Sequence, residues 1–327
     1  MMAGGASRHG AASMSVRRGL ELATVAGGLL MLGLSFVADA DARTRCSYAG
    51  APDNLLTVSS DRGALTEITR RGEEIVVRES FSRPQACSGG VPTVLNTDTI
   101  RIELASENDY VDVLLAAGEF APGATPEAEG ASEIEVVITG REAFGTVIGT
   151  RRTDEFHWRQ DGRHAGLNLN PGSAGDQDVD VTLTGGRSAF LQANGAAGND
   201  TIVPAPGTVV RDGVFSKGGA GDDHLIAPRN TGGILDGGAG DDVLTGGRLS
   251  NNIIGGRGDD RIIGGAGPDL IDLIDGGPGR DLIIAGAGPD RINSRDSTRD
   301  RVRCGPGRDD VKADRRDRLR GCEAVDR

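Results

Sequence analysis

Aliphatic residues recur every nine positions through the C-terminal half of the chain, and an Asp or Asn usually stands two residues before each of them. From residue 237 to 272, four nine-residue units follow one another without a slip. The eighth positions of the units are Leu225, Ile234, Leu244, Ile253, Ile262, Ile271, Ile283, Ile292 and Val311. One buried side chain flanked by polar neighbours predicts a short strand in every unit, because strand side chains alternate between two faces.

The first six residues of most units read Gly-Gly-x-Gly-x-Asp, as in 255–260. Glycine tolerates positive φ and close backbone approach, so this half of the unit predicts a tight turn. Two units then make one coil of about 18 residues with a strand on each side. The pattern predicts an all-β fold that contains a parallel β-roll over residues 218–293.

A longer period precedes the roll. Aligning the Asp-x-apolar pattern gives unit starts at 104, 127, 149, 172, 195 and 218, with eighth positions Val111, Ile134, Phe156, Val179, Ile202 and Leu225. Several continue as alternating apolar runs, which are typical of half-buried strands. We therefore expect a right-handed parallel β-helix of about 23 residues per coil over 104–217, between an N-terminal β cap (41–103) and a C-terminal cap (294–327). A separate small β-sandwich spanning 43–210 is the alternative.

The sixth-position carboxylates carry the candidate chemistry. Equivalent positions in successive coils lie about 4.8 Å apart along a parallel stack, so bare carboxylates there would repel one another. A divalent cation between them would remove the repulsion, and all-oxygen ligands favour Ca²⁺ over Mg²⁺ or zinc. The predicted ligands are Asp223, Asp242, Asn251, Asp260, Asp269, Asp281, Asp290 and Asp309. The predicted bridged pairs are Asp223–Asp242, Asp242–Asp260, Asn251–Asp269, Asp260–Asp281 and Asp269–Asp290, with the Asn251 site the weaker one.

These units resemble the RTX, or hemolysin-type, calcium-binding repeat, whose pattern is GGxGxDxUx with an apolar residue at U. The resemblance covers residues 218–293 closely and 304–312 loosely. It implies several bound calcium ions within a parallel β-roll, in a secreted bacterial protein.

Composition narrows the choice of partners. The chain of 327 residues has a formal net charge of −12, which argues against nucleic acid or an anionic membrane surface as the main partner. Aromatic residues make up only 3%, so the core has to consist mainly of Val, Ile and Leu.

The N-terminus is typical of an export signal. Arg17 and Arg18 precede an apolar run at 22–37, and Ala38-Asp39-Ala40 fits a small-x-small cleavage site. We expect a cleaved signal peptide at 1–40, no membrane span after its removal, and a secreted or cell-surface protein. A single membrane anchor is the alternative.

Four cysteines follow this segment, and an even number in an exported chain indicates disulfides. Three connectivities are possible, of which we expect the local pairs Cys46–Cys87 and Cys304–Cys322.

Other motifs are weak. His157, His164 and Asp154 lie close together in sequence, but the stretch also fits a strand with Phe156 and Trp158 inside. The pattern therefore favours a non-catalytic, calcium-binding structural or surface module, with calcium as its partner. Two alternatives remain: a lyase-like enzyme acting on polysaccharide along the β-helix face, and an adhesin that binds cell-surface or extracellular polysaccharide.

Overall fold

The computed structural model describes residues 43–61, 64–79, 83–105, 109–116, 134–140, 144–161, 164–169, 180–185, 190–210, 213–265, 267 and 272–327. Every regular element in these ranges is a β-strand. Accordingly, this part of the chain has no helix of the length and apolarity needed to cross a membrane. The expected signal peptide at 1–40 lies outside the described residues.

The strands are numbered in chain order. The first thirteen are β1 (Thr44–Ala49), β2 (Leu55–Ser60), β3 (Leu65–Arg71), β4 (Glu74–Glu79), β5 (Thr99–Leu104), β6 (Tyr110–Leu114), β7 (Glu135–Gly140), β8 (Phe144–Ile148), β9 (Glu155–Asp161), β10 (His164–Leu169), β11 (Val181–Gly185), β12 (Phe190–Ala197) and β13 (Thr201–Pro204). The others are β14 (Val214–Ala220), β15 (His224–Ile226), β16 (Gly233–Ala239), β17 (Val243–Thr245), β18 (Asn252–Arg257), β19 (Arg261–Ile263), β20 (Leu273–Asp275), β21 (Leu282–Ile284), β22 (Arg291–Ser294), β23 (Arg301–Arg303), β24 (Asp310–Ala313), β25 (Arg318–Arg320) and β26 (Ala324–Asp326).

Two long sheets contain all of these strands. The first sheet has 14 strands in the order β1-β2-β5-β7-β11-β10-β9-β13-β15-β17-β19-β21-β23-β25, and the second has 12 in the order β26-β24-β22-β20-β18-β16-β14-β12-β8-β6-β3-β4. From β12 onward the chain alternates between the sheets and each strand pairs in parallel with its equivalent one coil away. The predicted β-solenoid is confirmed. Both sheets continue through residues 200–220, where the sandwich alternative would end; the predicted domain boundaries stay predictions.

In the roll, one aliphatic side chain per strand points into the coil. The first sheet contributes Leu225, Leu244, Ile262, Ile283 and Val302, and the second contributes Leu235, Ile253, Ile274, Ile292 and Val311, all essentially inaccessible to solvent. Ile234, expected inside, is 37% exposed, and its neighbour Leu235 is buried instead. The reason is length: the coil from Asp223 to Asp242 has 19 residues, one more than two nonapeptides. The extra residue shifts the strand register by one and exchanges its faces.

The N-terminal coils are less regular than a 23-residue period. A coil of 23 residues occurs between Asp200 and Asp223, but the preceding one, from Asp154 to Asp200, has 46. The longer coil contains an antiparallel meander, β9-β10-β11, inserted into the first sheet. Two predicted strands, at Phe156 (β9) and near Val181 (β11), thus lie in one sheet on either side of β10. They do not belong to successive coils.

Both ends of the solenoid are tied by disulfides. Cys46 is bonded to Cys87 and Cys304 to Cys322, with Cα–Cα distances of 4.7 and 5.2 Å. The expected local pairing is confirmed. At the N-terminal end, antiparallel pairing of β1 with β2 and of β3 with β4 interrupts the parallel order.

Candidate metal centre

A file of aspartates follows one edge of the solenoid, each residue standing immediately before a strand of the first sheet. In each step, the backbone N–H of one Asp donates to Oδ1 of the Asp one coil further on, over 2.7–3.1 Å. The members of this first ladder are Asp154, Asp200, Asp223, Asp242, Asp260, Asp281, Asp300 and Asp317. The carboxylates therefore connect successive coils directly through hydrogen bonds to charged acceptors, which are stronger than neutral ones.

A second ladder follows the opposite edge, before the strands of the second sheet. It consists of Asn251, Asp272, Asp290, Asp309 and Glu323, connected by the same N–H to carboxylate bonds of 2.8–3.1 Å. Asp269, the predicted ligand between Asn251 and Asp290, lies outside the described residues, and Asp272 makes that link.

The substitution of Asp272 for Asp269 has a local cause. The stretch PDLIDLID contains Asp-x-Ile twice, three residues apart, so the sequence pattern fits either copy. With Asp272 in the ladder, Ile274 stands two residues before the Gly276-Gly277 pair, as Ile262 stands two residues before Gly264-Gly265. Strand β20 therefore keeps the usual spacing to the glycine pair that follows it.

The predicted ligands Asp223, Asp242, Asp260, Asp281, Asp290, Asp309 and Asn251 all belong to the ladders. Sequence reasoning missed Asp154, Asp200, Asp272, Asp300, Asp317 and Glu323 as members. Asp154 and Asp200 fall at the sixth position of the 23-residue alignment, so the signal was present. The segment that precedes Asp300, SRDSTR, has no glycine, so the repeat pattern did not indicate Asp300.

The second carboxylate oxygen distinguishes the ladder members. Eight Oδ2 atoms are buried without a hydrogen-bond partner among the described residues: those of Asp200, Asp223, Asp242, Asp260, Asp281, Asp290, Asp300 and Asp309. An unpaired buried carboxylate oxygen is costly, because desolvation of a charge is not offset. Six of the eight lie on the first ladder and two on the second.

Burial raises the pKa of these carboxyl groups, and neighbouring carboxylates raise it further. The pKa of Asp223, Asp260, Asp281 and Asp300 is about 7, and that of Asp200, Asp242 and Asp290 is about 6. The pKa of Asp309 is raised as well, mainly by burial. Near neutral pH, a positive charge close to Oδ2 would stabilise the ionised form of these carboxyl groups.

The first glycine of a unit leaves the space beside Oδ2. A Cβ at position 255 would lie 2.4 Å from Asp260 Oδ2 and 2.4 Å from the carbonyl oxygen of Gly276 in the next coil. At position 237, the corresponding distances are 2.3 Å to Asp242 Oδ2 and 2.5 Å to the Gly255 oxygen. One carboxylate and one carbonyl oxygen thus converge on a space that any larger residue would fill.

At both ends of the first ladder, the Asp Oδ2 atom has hydrogen-bond partners. Asp154 Oδ2 accepts the Thr150 N–H at 2.7 Å and its hydroxyl at 3.1 Å. Asp317 Oδ2 accepts the Ser294 hydroxyl at 3.1 Å and the Asp314 N–H at 2.6 Å.

In the second ladder, the side chains of the first two members are satisfied as well. Asn251 Nδ2 donates to the carbonyls of Gly247 and Leu249 at 3.1 and 2.7 Å, and Asp272 Oδ2 accepts the Gly265 N–H.

Carbonyl oxygens are essential to any metal site here. No three His, Cys, Asp or Glu side chains of the described residues converge as a metal-binding group. Each cradle instead offers carboxylate oxygen together with turn carbonyls. Such neutral and anionic oxygens, without nitrogen or sulfur, fit Ca²⁺ and not the tetrahedral zinc sites of proteins.

Other candidate residues take structural positions. Phe156 and Trp158 are fully buried, as expected, while His157 Nε2 lies 2.7 Å from the exposed carboxylate of Glu155. Asp154 belongs to the first ladder.

On the outer face of the second sheet, Tyr110, Phe144 and Phe190 form a file with centroid separations of 5.4 and 5.9 Å. Their rings pack against one another, which stabilises the neighbouring strands β6, β8 and β12.

Comparison with known proteins agrees with the repeat pattern. The family model of the RTX calcium-binding nonapeptide repeat matches four copies, at residues 236–271 and 269–296. The matched segment is shorter than the span of resemblance at 218–293. Neither a search of curated proteins nor one of solved structures found a match. Residues 236–296 of the chain thus match the RTX calcium-binding nonapeptide repeat.

Proposed function

We propose that the protein is an exported, non-catalytic β-solenoid whose folding is completed by several calcium ions bound along the two ladders. The observation that supports this most directly is the set of eight buried Oδ2 atoms without a partner. Their Oδ1 atoms already stabilise the stack, so Oδ2 is the oxygen left for a cation.

The donor set selects the ion. A cradle such as that of Asp260 supplies a carboxylate oxygen and the Gly276 carbonyl, which both face the space beside Gly255. Calcium accepts six to eight oxygens at about 2.3–2.6 Å in flexible geometry, whereas magnesium demands shorter, octahedral contacts and keeps its waters. When bound, calcium would supply the positive charge that these carboxylates lack.

The ladders differ in capacity. Calcium is expected along the first ladder from Asp200 to Asp300, and near Asp290 and Asp309 on the second. Asn251 and Asp272 have satisfied side chains and are expected to bind weakly. The proposed sites therefore extend beyond both ends of the segment matched by the repeat family.

Calcium-dependent folding suits an exported chain. The cradles consist of residues from different coils, so they exist only in the folded state, and binding then stabilises that state by mass action. Extracellular calcium modules have dissociation constants of about 10⁻⁴ to 10⁻³ M. The chain would remain loosely folded at low cytosolic calcium and fold outside the cell as a structural or surface module.

The test is a calcium titration of residues 43–327, followed by circular dichroism and thermal melting, with magnesium as control. The expected result is a calcium-specific gain of β signal and of melting temperature, with several ions bound per chain by calorimetry. A protein that melts at the same temperature in chelator and in calcium would refute the proposal.

A further inference from the structure

Four arginines form a regular array on the outer face of the first sheet at its C-terminal end. Arg301 pairs with Arg318, and Arg303 with Arg320, in the parallel register of β23 and β25. All four side chains are exposed, because Val302 and Leu319 take the inward positions between them. We call these four residues the arginine grid.

The packing of the sheet does not explain why four arginines stand at these positions. Like charges directly opposite one another on adjacent strands destabilise a sheet. The next strand, β21, has the half-buried aliphatic residues Leu282 and Ile284 at the same outward positions. None of the grid side chains forms an ion pair with a described residue, although the chain as a whole has a net charge of −12.

Nearby acidic residues do not neutralise the grid at the surface. Asp300 and Asp317 stand immediately before the two strands, but both are buried. They belong to the first ladder, in which the Asp300 N–H donates to Asp317 Oδ1 at 3.1 Å. Their carboxylates are therefore directed to the ladder, and the outer face keeps its positive charge.

The two strands that carry the grid are fixed to each other. Cys304 directly follows β23 and is bonded to Cys322, two residues after β25. The disulfide thus fastens the two strands at one end of the grid. The backbone positions that carry the arginines recur about 4.8 Å apart between the strands and roughly 6.7 Å apart along them. Because the strands are already fixed, only the arginine side chains have to lose freedom when a ligand binds.

We propose that the arginine grid binds a linear polysaccharide that carries sulfate or carboxylate groups. The planar guanidinium group pairs with both anions in a bidentate manner, and a flat row of such groups suits an extended polymer with repeated charges. A single-stranded nucleic acid is disfavoured because β21, β23 and β25 carry no aromatic side chain on which its bases could stack. A membrane is disfavoured because no strongly exposed apolar residue of the described chain lies on β21, β23 or β25.

The binding face is separate from the calcium cradles, so it is tested on calcium-saturated full-length protein with both disulfides formed. Binding of dextran sulfate, carboxymethyl dextran and neutral dextran is measured by calorimetry. The test variant is Arg301→Gln/Arg318→Gln. The matched control is Arg308→Gln/Arg315→Gln, which removes two exposed charges from the same cap outside the grid. Anionic lipid vesicles and a single-stranded oligonucleotide serve as alternative ligands.

We expect both charged dextrans to bind and neutral dextran not to bind. The grid variant should weaken binding by about tenfold or more, and the control by about twofold or less. Equal losses in the two variants, or tighter binding of vesicles or oligonucleotide than of charged dextrans, would overturn the proposal. So would a grid variant that aggregates while its soluble fraction keeps full affinity, because the arginines would then only protect the sheet edge. If calcium fails to alter folding but the grid variant still loses binding, the calcium proposal fails and the polysaccharide proposal stands.

Discussion

Replacing Asp260 by Asn should have opposite effects on stability in chelator and in calcium. Asp260 Oδ1 accepts the Asp242 N–H at 2.8 Å, and an Asn side chain retains that acceptor. Its Oδ2 is buried without a partner, close to the Gly276 carbonyl. In the variant, an NH₂ group takes this place and can donate to the carbonyl, as Asn251 does to Gly247 in the second ladder.

The magnitude follows from these two oxygens. Without calcium, removing an unsatisfied buried acceptor should stabilise the fold by about 1–3 kcal/mol. With calcium at about one hundred times the dissociation constant, the loss of one site removes about 2.7 kcal/mol, and the loss of two adjacent sites about twice that. Because Asp260 is shared by two adjacent sites in the bridging scheme, the loss outweighs the gain of about 1–3 kcal/mol. The net effect in calcium is then destabilising, and the sign should invert between the two conditions.

Thermal melting in chelator and in calcium at about one hundred times the measured dissociation constant provides the assay, with calorimetric counting of bound calcium. Asp259→Asn is the matched control, since Asp259 is the exposed neighbour and its Oδ1 also accepts a backbone N–H, that of Arg280 at 2.9 Å. The control should show no inversion. If Asp260→Asn lowers the melting temperature equally in both conditions, or leaves the number of bound ions unchanged, the assignment of Oδ2 as a calcium ligand is refuted.

Three other predictions address pH, the number of calcium sites and cross-linking. The folded-state pKa values of about 6 to 7 exceed the usual Asp value of about 4, so calcium-free protein should gain stability as pH falls from about 8 to 5, and the calcium-induced rise in melting temperature should shrink over the same range; melting curves that are flat with pH would contradict this. Asn251→Asp should add one calcium site and destabilise the calcium-free form, because the two donors of the amide are lost; calorimetry shows whether stoichiometry rises. Replacing Cys304 and Cys322 by Ala should cost about 3 kcal/mol in calcium and increase hydrogen exchange in β23 and β25, and unchanged exchange there would show that the disulfide does not hold the last coils.

Much of this protein could be derived from periodicity alone. An aliphatic residue every nine positions requires a stack in which each unit buries one side chain, and glycine at fixed offsets requires a turn between strands. The all-β solenoid, the local disulfides and the ladder positions of Asp223, Asp242, Asp260 and Asp281 all follow from local pattern. Pattern succeeds here because neighbouring coils repeat the same short-range interactions.

Irregular coils could not be derived in this way. Asp272 and Asp269 fit the repeat equally well in sequence, and only the hydrogen bonds that connect Asp272 with Asn251 and Asp290 identify it as the ladder member. The exposure of Ile234 and the insertion of the β9-β10-β11 meander likewise depend on strand pairing between distant segments. One residue of additional length exchanges the faces of a strand, and a residue count reveals such a shift only when the neighbouring coil is known.

The distinction between used and unused carboxylate oxygens also required the folded chain. The sixth position of a unit does not by itself reveal whether the Oδ2 of its Asp faces a cradle, as in Asp260, or lies beside Thr150, as in Asp154. Partners of these oxygens come from residues 3 to 46 positions away, and the distant ones meet only after the coils stack. Sequence thus indicated which residue types bind calcium, and stacking determined which of their oxygens remain free to do so, because hydrogen bonds between coils consume the others.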